Sequence, residues 1–178
     1  MTLKVAQETE EQFIARGKEI GFLGNPIKGK GRIIWFTCGE GNAFLPMLAD
    51  MCRYAERIHP ISFNGGAWLL GDRYDEHRMR LRDIISEQLQ EAVYAMKWNT
   101  LVLASHWPCV FAPKNLSFRN IVYKTVEGAR VLDGSMDGVD LIAEIHVGCG
   151  LKREIHNLDF RHEHFDKVLS IDQQNSFW

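Results

Sequence analysis

Two stretches decide the fold: Arg32-Ile-Ile-Trp-Phe-Thr-Cys38-Gly-Glu40-Gly-Asn42 and Asn99-Thr-Leu-Val-Leu-Ala-Ser-His106-Trp-Pro-Cys109. Each opens with an apolar run of strand length and stops at a turn marked by polar residues, Gly or Pro. Runs this apolar suit strands covered on both faces, as in a parallel sheet packed between helices. The first strand is read over Arg32 to Thr37 and a later one over Thr100 to Ala104. Cys38, His106 and Cys109 then fall in the turns just after those strands.

Working outward, Val5 to Ile20 carries the pattern of an amphipathic helix, and Gly21 to Gly31 that of a Gly/Pro-punctuated linker. Leu45, Leu48, Cys52 and Ala55 recur at helical spacing, which predicts a helix from Ala43 to Arg57 with Cys52 in the core. His59 to Phe63 reads as a second short strand, ended by Asn64-Gly65-Gly66. Asp72 is a cap for a long helix whose apolar stripe is Leu81, Ile84, Ile85, Leu89, Ala92, Val93 and Met96. Lys114 to Leu132 is helical in part, through Ile121, Val122, Val126 and Val131, and Gly134 to Gly138 is a loop. Val139 to Val147 and Leu151 to Leu158 read as strands joined by a Gly148-Cys149-Gly150 turn, an antiparallel hairpin.

This order predicts an α/β fold: a mainly parallel β-sheet flanked by helices, with a C-terminal antiparallel hairpin. Ligands in such sheets bind at the carboxyl ends of the strands, where the two cysteine-bearing turns lie. Residues 1–31 are read as an N-terminal helix and linker, 32–160 as the α/β core, and 161–178 as a polar, weakly helical tail available to pack on a partner.

At 178 residues the chain has the size of one domain with a sizeable core. Its net charge of −2 gives no global electrostatic pull toward nucleic acid or membrane surfaces. The Lys28-Gly-Lys30-Gly-Arg32 cluster lacks the spacing of a phosphate-binding loop and reads as a solvated loop. No apolar run reaches the length of a membrane span, and the N-terminus has no apolar signal core. The expected setting is cytoplasmic. Four cysteines, at 38, 52, 109 and 149, are too scattered for a disulfide framework, so reduced thiols with metal-binding or catalytic use are expected.

Two thiolates and an imidazole match the donors that zinc prefers, and three protein ligands leave a fourth position open for chemistry. Zinc lowers the pKa of a bound water toward neutrality, so hydroxide becomes available at physiological pH. His106 and Cys109, three apart on a tight turn, can aim at one ion while Cys38 closes the triangle.

The pattern resembles the β-class carbonic anhydrases, in which a Cys-x-Asp-x-Arg turn follows the first strand and a His-x-x-Cys turn a later one. Arg57-Ile-His-Pro-Ile-Ser-Phe-Asn64-Gly65-Gly66-Ala67 looks like the family's strand and Arg-Asn-Ala-Gly turn. Ala92-Val-Tyr-Ala-Met-Lys-Trp-Asn-Thr-Leu-Val-Leu looks like the helix and strand leading into its His-x-x-Cys, and the likeness spans roughly residues 30 to 160. The resemblance implies Zn2+ held by Cys38, His106 and Cys109, and a site shared within a homodimer or higher homo-oligomer. It implies hydration of a small linear electrophile, CO2 first and carbonyl sulfide second. Glu40 stands where the family has Asp, to accept a hydrogen bond from the metal's water or to bind the metal. Asn42 stands where the family has Arg and cannot form the charge-assisted fork of a guanidinium. Asn42 and the Asn64, Gly65, Gly66 and Ala67 turn would line the substrate pocket.

Other readings stand beside these. Glu40 as permanent fourth ligand would make a closed, non-catalytic or regulatory zinc site. His146-Val-Gly-Cys149 is a rival ligand pair, though it falls at the expected hairpin rather than between a parallel strand and a helix. Cys38 and Cys109 are also the kind of small residue found buried at strand ends. Asn64 to Gly66 also fits a plain turn. His162 and His164 in the tail read as solvated rather than as a metal cluster.

Overall fold

The computed structural model describes residues 8–26, 30–71, 76–114, 116–148 and 153–163. Helix α1 (Glu10–Glu19) starts later than its pattern suggested, because Thr9 caps it reciprocally with Gln12. The expected linker holds a two-residue strand, β1 (Leu23–Gly24), and Lys30 begins strand β2 (Lys30–Cys38). Helix α2 (Gly41–Met51) leads to strand β3 (Ala55–Phe63). A short 3-10 helix (Gly66–Gly71) and the long helix α3 (Glu76–Met96) follow, then strand β4 (Thr100–Trp107). Helix α4 (Phe118–Asp133), β5 (Asp140–Val147) and β6 (Glu154–Leu158) complete the chain.

The six strands form one sheet in the order β1-β6-β5-β4-β2-β3. β3, β2, β4 and β5 run parallel, while β6 is antiparallel to β5 and β1 antiparallel to β6. The fold is therefore α/β, with an antiparallel C-terminal pair at one side. From β2 the chain passes through α2 to β3 on one side, then through α3 to β4 on the other. The sheet order reverses there, and such a switch point opens a crevice at the carboxyl strand ends.

Side chains alternate across each strand, so the inner strands feed two cores. Ile34, Phe36, Leu101, Leu103, Ala143 and Ile145 pack with α1, the 3-10 helix, α3 and α4. Ile33, Trp35, Val102, Ala104 and Ile142 pack beneath α2 on Ala43, Met47 and Met51. The first core reaches Phe13, Phe22 and Leu23, so α1 and β1 belong to the same packed body.

Three expectations need correction. The helix read as Ala43 to Arg57 ends at Met51, and β3 begins at Ala55 rather than His59. β3 is an edge strand, half exposed, so Glu56 and Arg57 sit in it at little cost and hide its period. Second, α2 turns Ala43, Met47 and Met51 inward with Leu48 half-buried beside them, not Leu45 and Cys52. Leu45 is 67% exposed, and Cys52 is an exposed C-cap rather than a core residue. Third, β4 runs three residues beyond Ala104, so His106 lies on the strand and not in the turn after it. Ser105 is tolerated there because its hydroxyl bonds Thr125 of α4 at 2.6 Å. Asp72, Cys149 and His164 lie outside the described residues.

Candidate metal centre

The switch point between β2 and β4 brings together the residues singled out by position alone. Cys38 ends β2, Glu40 caps α2, His106 is the penultimate residue of β4, and Cys109 follows it in the turn. One donor atom from each of these four lies within 4.8 Å of every other. Cys38, His106 and Cys109 are buried, at 0, 4 and 8% exposure, and the Glu40 side chain is 13% exposed.

Two edges of the cluster test whether one ion fits. For bond lengths of about 2.3 Å to sulfur and 2.0–2.1 Å to nitrogen or oxygen, a zinc tetrahedron has an S···S edge of about 3.8 Å and an N···O edge of about 3.4 Å. The Cys38 and Cys109 Sγ atoms are 4.0 Å apart. His106 Nε2 and Glu40 Oε2 are 3.4 Å apart. His106 Nε2 is buried with no hydrogen-bond partner, the state a ligand nitrogen has before its metal arrives. The donor set fits a four-ligand Cys2HisGlu metal site.

Backbone amides surround the sulfurs. Gly65 N–H donates to Cys38 Sγ at 3.2 Å, Glu40 N–H also donates to Cys38, and Phe111 N–H donates to Cys109. Such bonds stabilise thiolate, the form that binds metal. Without a metal the two sulfurs share a hydrogen bond and ionise in sequence. Cys109 loses its proton first, its pKa drawn down to about 4 by the hydrogen bond from Cys38, with His106 and the Phe111 amide helping. The same bond keeps the second proton on Cys38, whose pKa is pushed up, burial adding to the effect. Metal binding has to expel that proton, so affinity rises with pH.

The carboxylate of Glu40 is aimed by the turn opposite: Val110 N–H donates to Oε2 at 3.1 Å. Among the described residues no Arg or Lys forms an ion pair with Glu40; the imidazole of His106 lies beside it at 3.4 Å. Asn42 lies exposed in the first turn of α2.

The Asn64-Gly65-Gly66-Ala67 segment supports Cys38 from behind. Gly65 and Gly66 have φ of +106° and +66°, conformations that favour glycine. A Cβ on Gly66 would lie 2.6 Å from the backbone nitrogen of Cys38 and 3.1 Å from the Ala104 carbonyl oxygen. Ala67 is fully buried in the main core, and Asn64 is exposed beside Gly39.

Of the remaining candidates, His146 is fully buried on β5, directly opposite His106 in the sheet register. His162 bonds the Ile20 carbonyl at 3.0 Å and meets Phe22 edge-on. Lys30 of the basic cluster pairs with Asp140. Sequence reading overlooked Glu144, buried at 1% on β5, and the amides of Gly65 and Val110. Glu144 and His146, two apart in an apolar strand, were the available signal, since that spacing puts both on one face. No protein-family model matches the chain, and no curated protein matches it.

Proposed function

We propose that the chain is a zinc protein of the β-class carbonic anhydrase type, acting on a small, linear, neutral electrophile, CO2 before carbonyl sulfide. The observation that carries this reading is the Cys38–Glu40–His106–Cys109 cluster at the switch point, its donor atoms within 4.8 Å of one another and two of its edges near those of a zinc site. Zinc, when bound, supplies the Lewis acidity that makes water a nucleophile at neutral pH.

The chain's own residues do the rest. Cys38, His106 and Cys109 hold the ion, and the amides of Gly65 and Phe111 hold the sulfurs as thiolates. Glu40, its Oε2 held by Val110 N–H, would stand at the fourth corner or accept a hydrogen bond from a water there. Val110 and Phe111 beside the site are 74 and 43% exposed, which suits entry of an apolar substrate over a charged one. Two copies of the chain would share the assembly, as the family resemblance implies.

The test is metal analysis together with a stopped-flow CO2 hydration assay on zinc-loaded protein. Hydration above the buffer rate, lost in Cys109→Ser, is the expected result. Stoichiometric zinc with no hydration of CO2 or carbonyl sulfide contradicts the enzymatic reading. The second reading, a permanently closed regulatory or structural site, is favoured by the fit of Glu40 to the fourth corner and by the absence, among the described residues, of an Arg or Lys paired with it. Asn42→Arg separates the two: it raises hydration if Glu40 gates a working site and changes nothing if the site is closed by design.

A further inference from the structure

The two sulfurs of the metal centre are near enough to bond to each other, and they differ in freedom and in access. Cys38 Sγ and Cys109 Sγ lie 4.0 Å apart. A disulfide would bring them to about 2.05 Å, so roughly 2 Å of approach is needed. Cys38 is the last residue of β2, held in the sheet register opposite Phe63. Its sulfur accepts the Gly65 N–H, and Gly66 packs so closely behind it that an added Cβ would lie 2.6 Å from the Cys38 nitrogen. Cys109 instead follows the end of β4, in a turn that continues into exposed Val110 and Phe111. The Cys109 turn is therefore the part that moves.

Access runs the same way. Cys109 is 8% exposed and Cys38 0%, so a small oxidant entering from solvent meets Cys109 first. Cys52, the remaining described thiol, caps the far end of α2. The eleven residues of that helix span about 16 Å, which puts Cys52 out of reach of the pair.

We propose that Cys38 and Cys109 form a peroxide-sensitive switch: Cys109 is oxidised, Cys38 captures it as a disulfide, and the metal is released. The Cys109 thiolate attacks one oxygen of H2O2, the O–O bond breaks, hydroxide leaves, and Cys109 sulfenic acid forms. The Cys38 thiolate then attacks the Cys109 sulfur, the S–OH bond breaks, and a second hydroxide leaves as the disulfide closes. Two electrons pass from the sulfur pair to the peroxide. His106 and Glu40 are then the only donors left of the four, fewer than zinc takes from protein in structural or catalytic sites. A dithiol returns the two electrons, opens the disulfide by exchange and restores the donor set. The proposal rests on the reading of Cys38, Glu40, His106 and Cys109 as one metal site, and not on any activity there.

Zinc-loaded full-length protein is treated with H2O2 in the presence of a chromogenic zinc indicator, and the product is mapped by peptide mass spectrometry. Release of the bound zinc is expected, with a product lighter by two hydrogens in which Cys38 is linked to Cys109. Dithiothreitol should restore zinc binding, and Cys52→Ser should behave as wild type. Metal-free Cys38→Ser, folded by circular dichroism, should accumulate a Cys109 sulfenic acid that dimedone traps. Metal-free Cys109→Ser should give no such adduct at Cys38. Zinc retained through the oxidation overturns the proposal, and so does a disulfide that maps to Cys52 or Cys149. A dimedone adduct on Cys38 in place of Cys109 overturns the assigned order of oxidation. Protein that takes up no zinc yet forms the Cys38–Cys109 disulfide overturns the metal-site reading and the release step while upholding the disulfide, which tells the two failures apart.

Discussion

Replacing Gly66 with alanine tests whether the Gly65-Gly66 turn exists to hold Cys38 in place. The φ of +66° at this position costs a non-glycine residue about 1–2 kcal/mol. The added Cβ would also press on backbone, at 2.6 Å from the Cys38 nitrogen and 3.1 Å from Ala104 O, with no flexible side chain there to yield. Overpacking of this kind costs about 1–3 kcal/mol. The sum is about 2–5 kcal/mol, a large part of the stability of about 5–15 kcal/mol typical of a domain. The clash falls on the residue that supplies a sulfur ligand, so zinc affinity should drop as well, by about 10–100-fold, as when groups supporting a metal ligand are disturbed. Urea unfolding gives the stability and chelator competition gives the affinity. Gly41→Ala is the control: its Cβ would meet nothing within 4 Å, and its φ is not positive. That variant should be neutral or a few tenths of a kcal/mol more stable. A Gly66→Ala protein with wild-type stability and affinity would refute the reasoning.

Glu40→Gln should lower zinc affinity at least tenfold, about 1.4 kcal/mol, because a neutral amide is a poor fourth ligand; unchanged affinity in chelator competition would remove Glu40 from the metal. The phase of α2 separates two neighbouring side chains: Met47→Ala, at a fully buried position, should cost about 2–5 kcal/mol, while Leu45→Ala, at an exposed one, should stay within about 0.5 kcal/mol. Urea unfolding of the pair decides it, and the reverse ranking would restore the stripe read from sequence. Burial lowers the pKa of His156, with the nearby Lys18 charge adding to the effect. Its neutral form is favoured in the folded state, so its contribution is fully present above the unfolded histidine pKa of about 6.5 and is lost as pH falls through the lower folded value. Unfolding midpoints between pH 8 and 5 should fall less steeply in His156→Gln than in wild type, and parallel curves would contradict this.

How far the sequence could be read follows from which interactions are local. β2, β4 and β5 announce themselves because both faces are covered and nearly every residue is apolar. β3 is obscured by its exposed side, and β1 is too short to leave a pattern: its pairing with Leu158 and Asn157 is decided from the far end of the chain. The phase of α2 was misread because Leu45 is as apolar as Met47, and only the sheet beneath determines which of them turns inward. The end of β4 was hidden in the same way, since Ser105 looks like a turn residue until Thr125 is seen to bond it. At the site, Cys38, His106 and Cys109 were legible from residue type and strand-end position. Glu40 was named as a fourth ligand through the family resemblance; what stayed hidden is the Val110 amide, 70 residues away in the chain, that holds its carboxylate.

X-ray absorption at the zinc edge of the zinc-loaded protein tests the central claim most directly. The account predicts one tightly bound zinc with two sulfur ligands at about 2.3 Å and two nitrogen or oxygen ligands at about 2.0–2.2 Å. The sulfur shell should fall to one ligand in Cys109→Ser. A zinc shell without sulfur, or a wild-type protein that takes up no zinc, would contradict it.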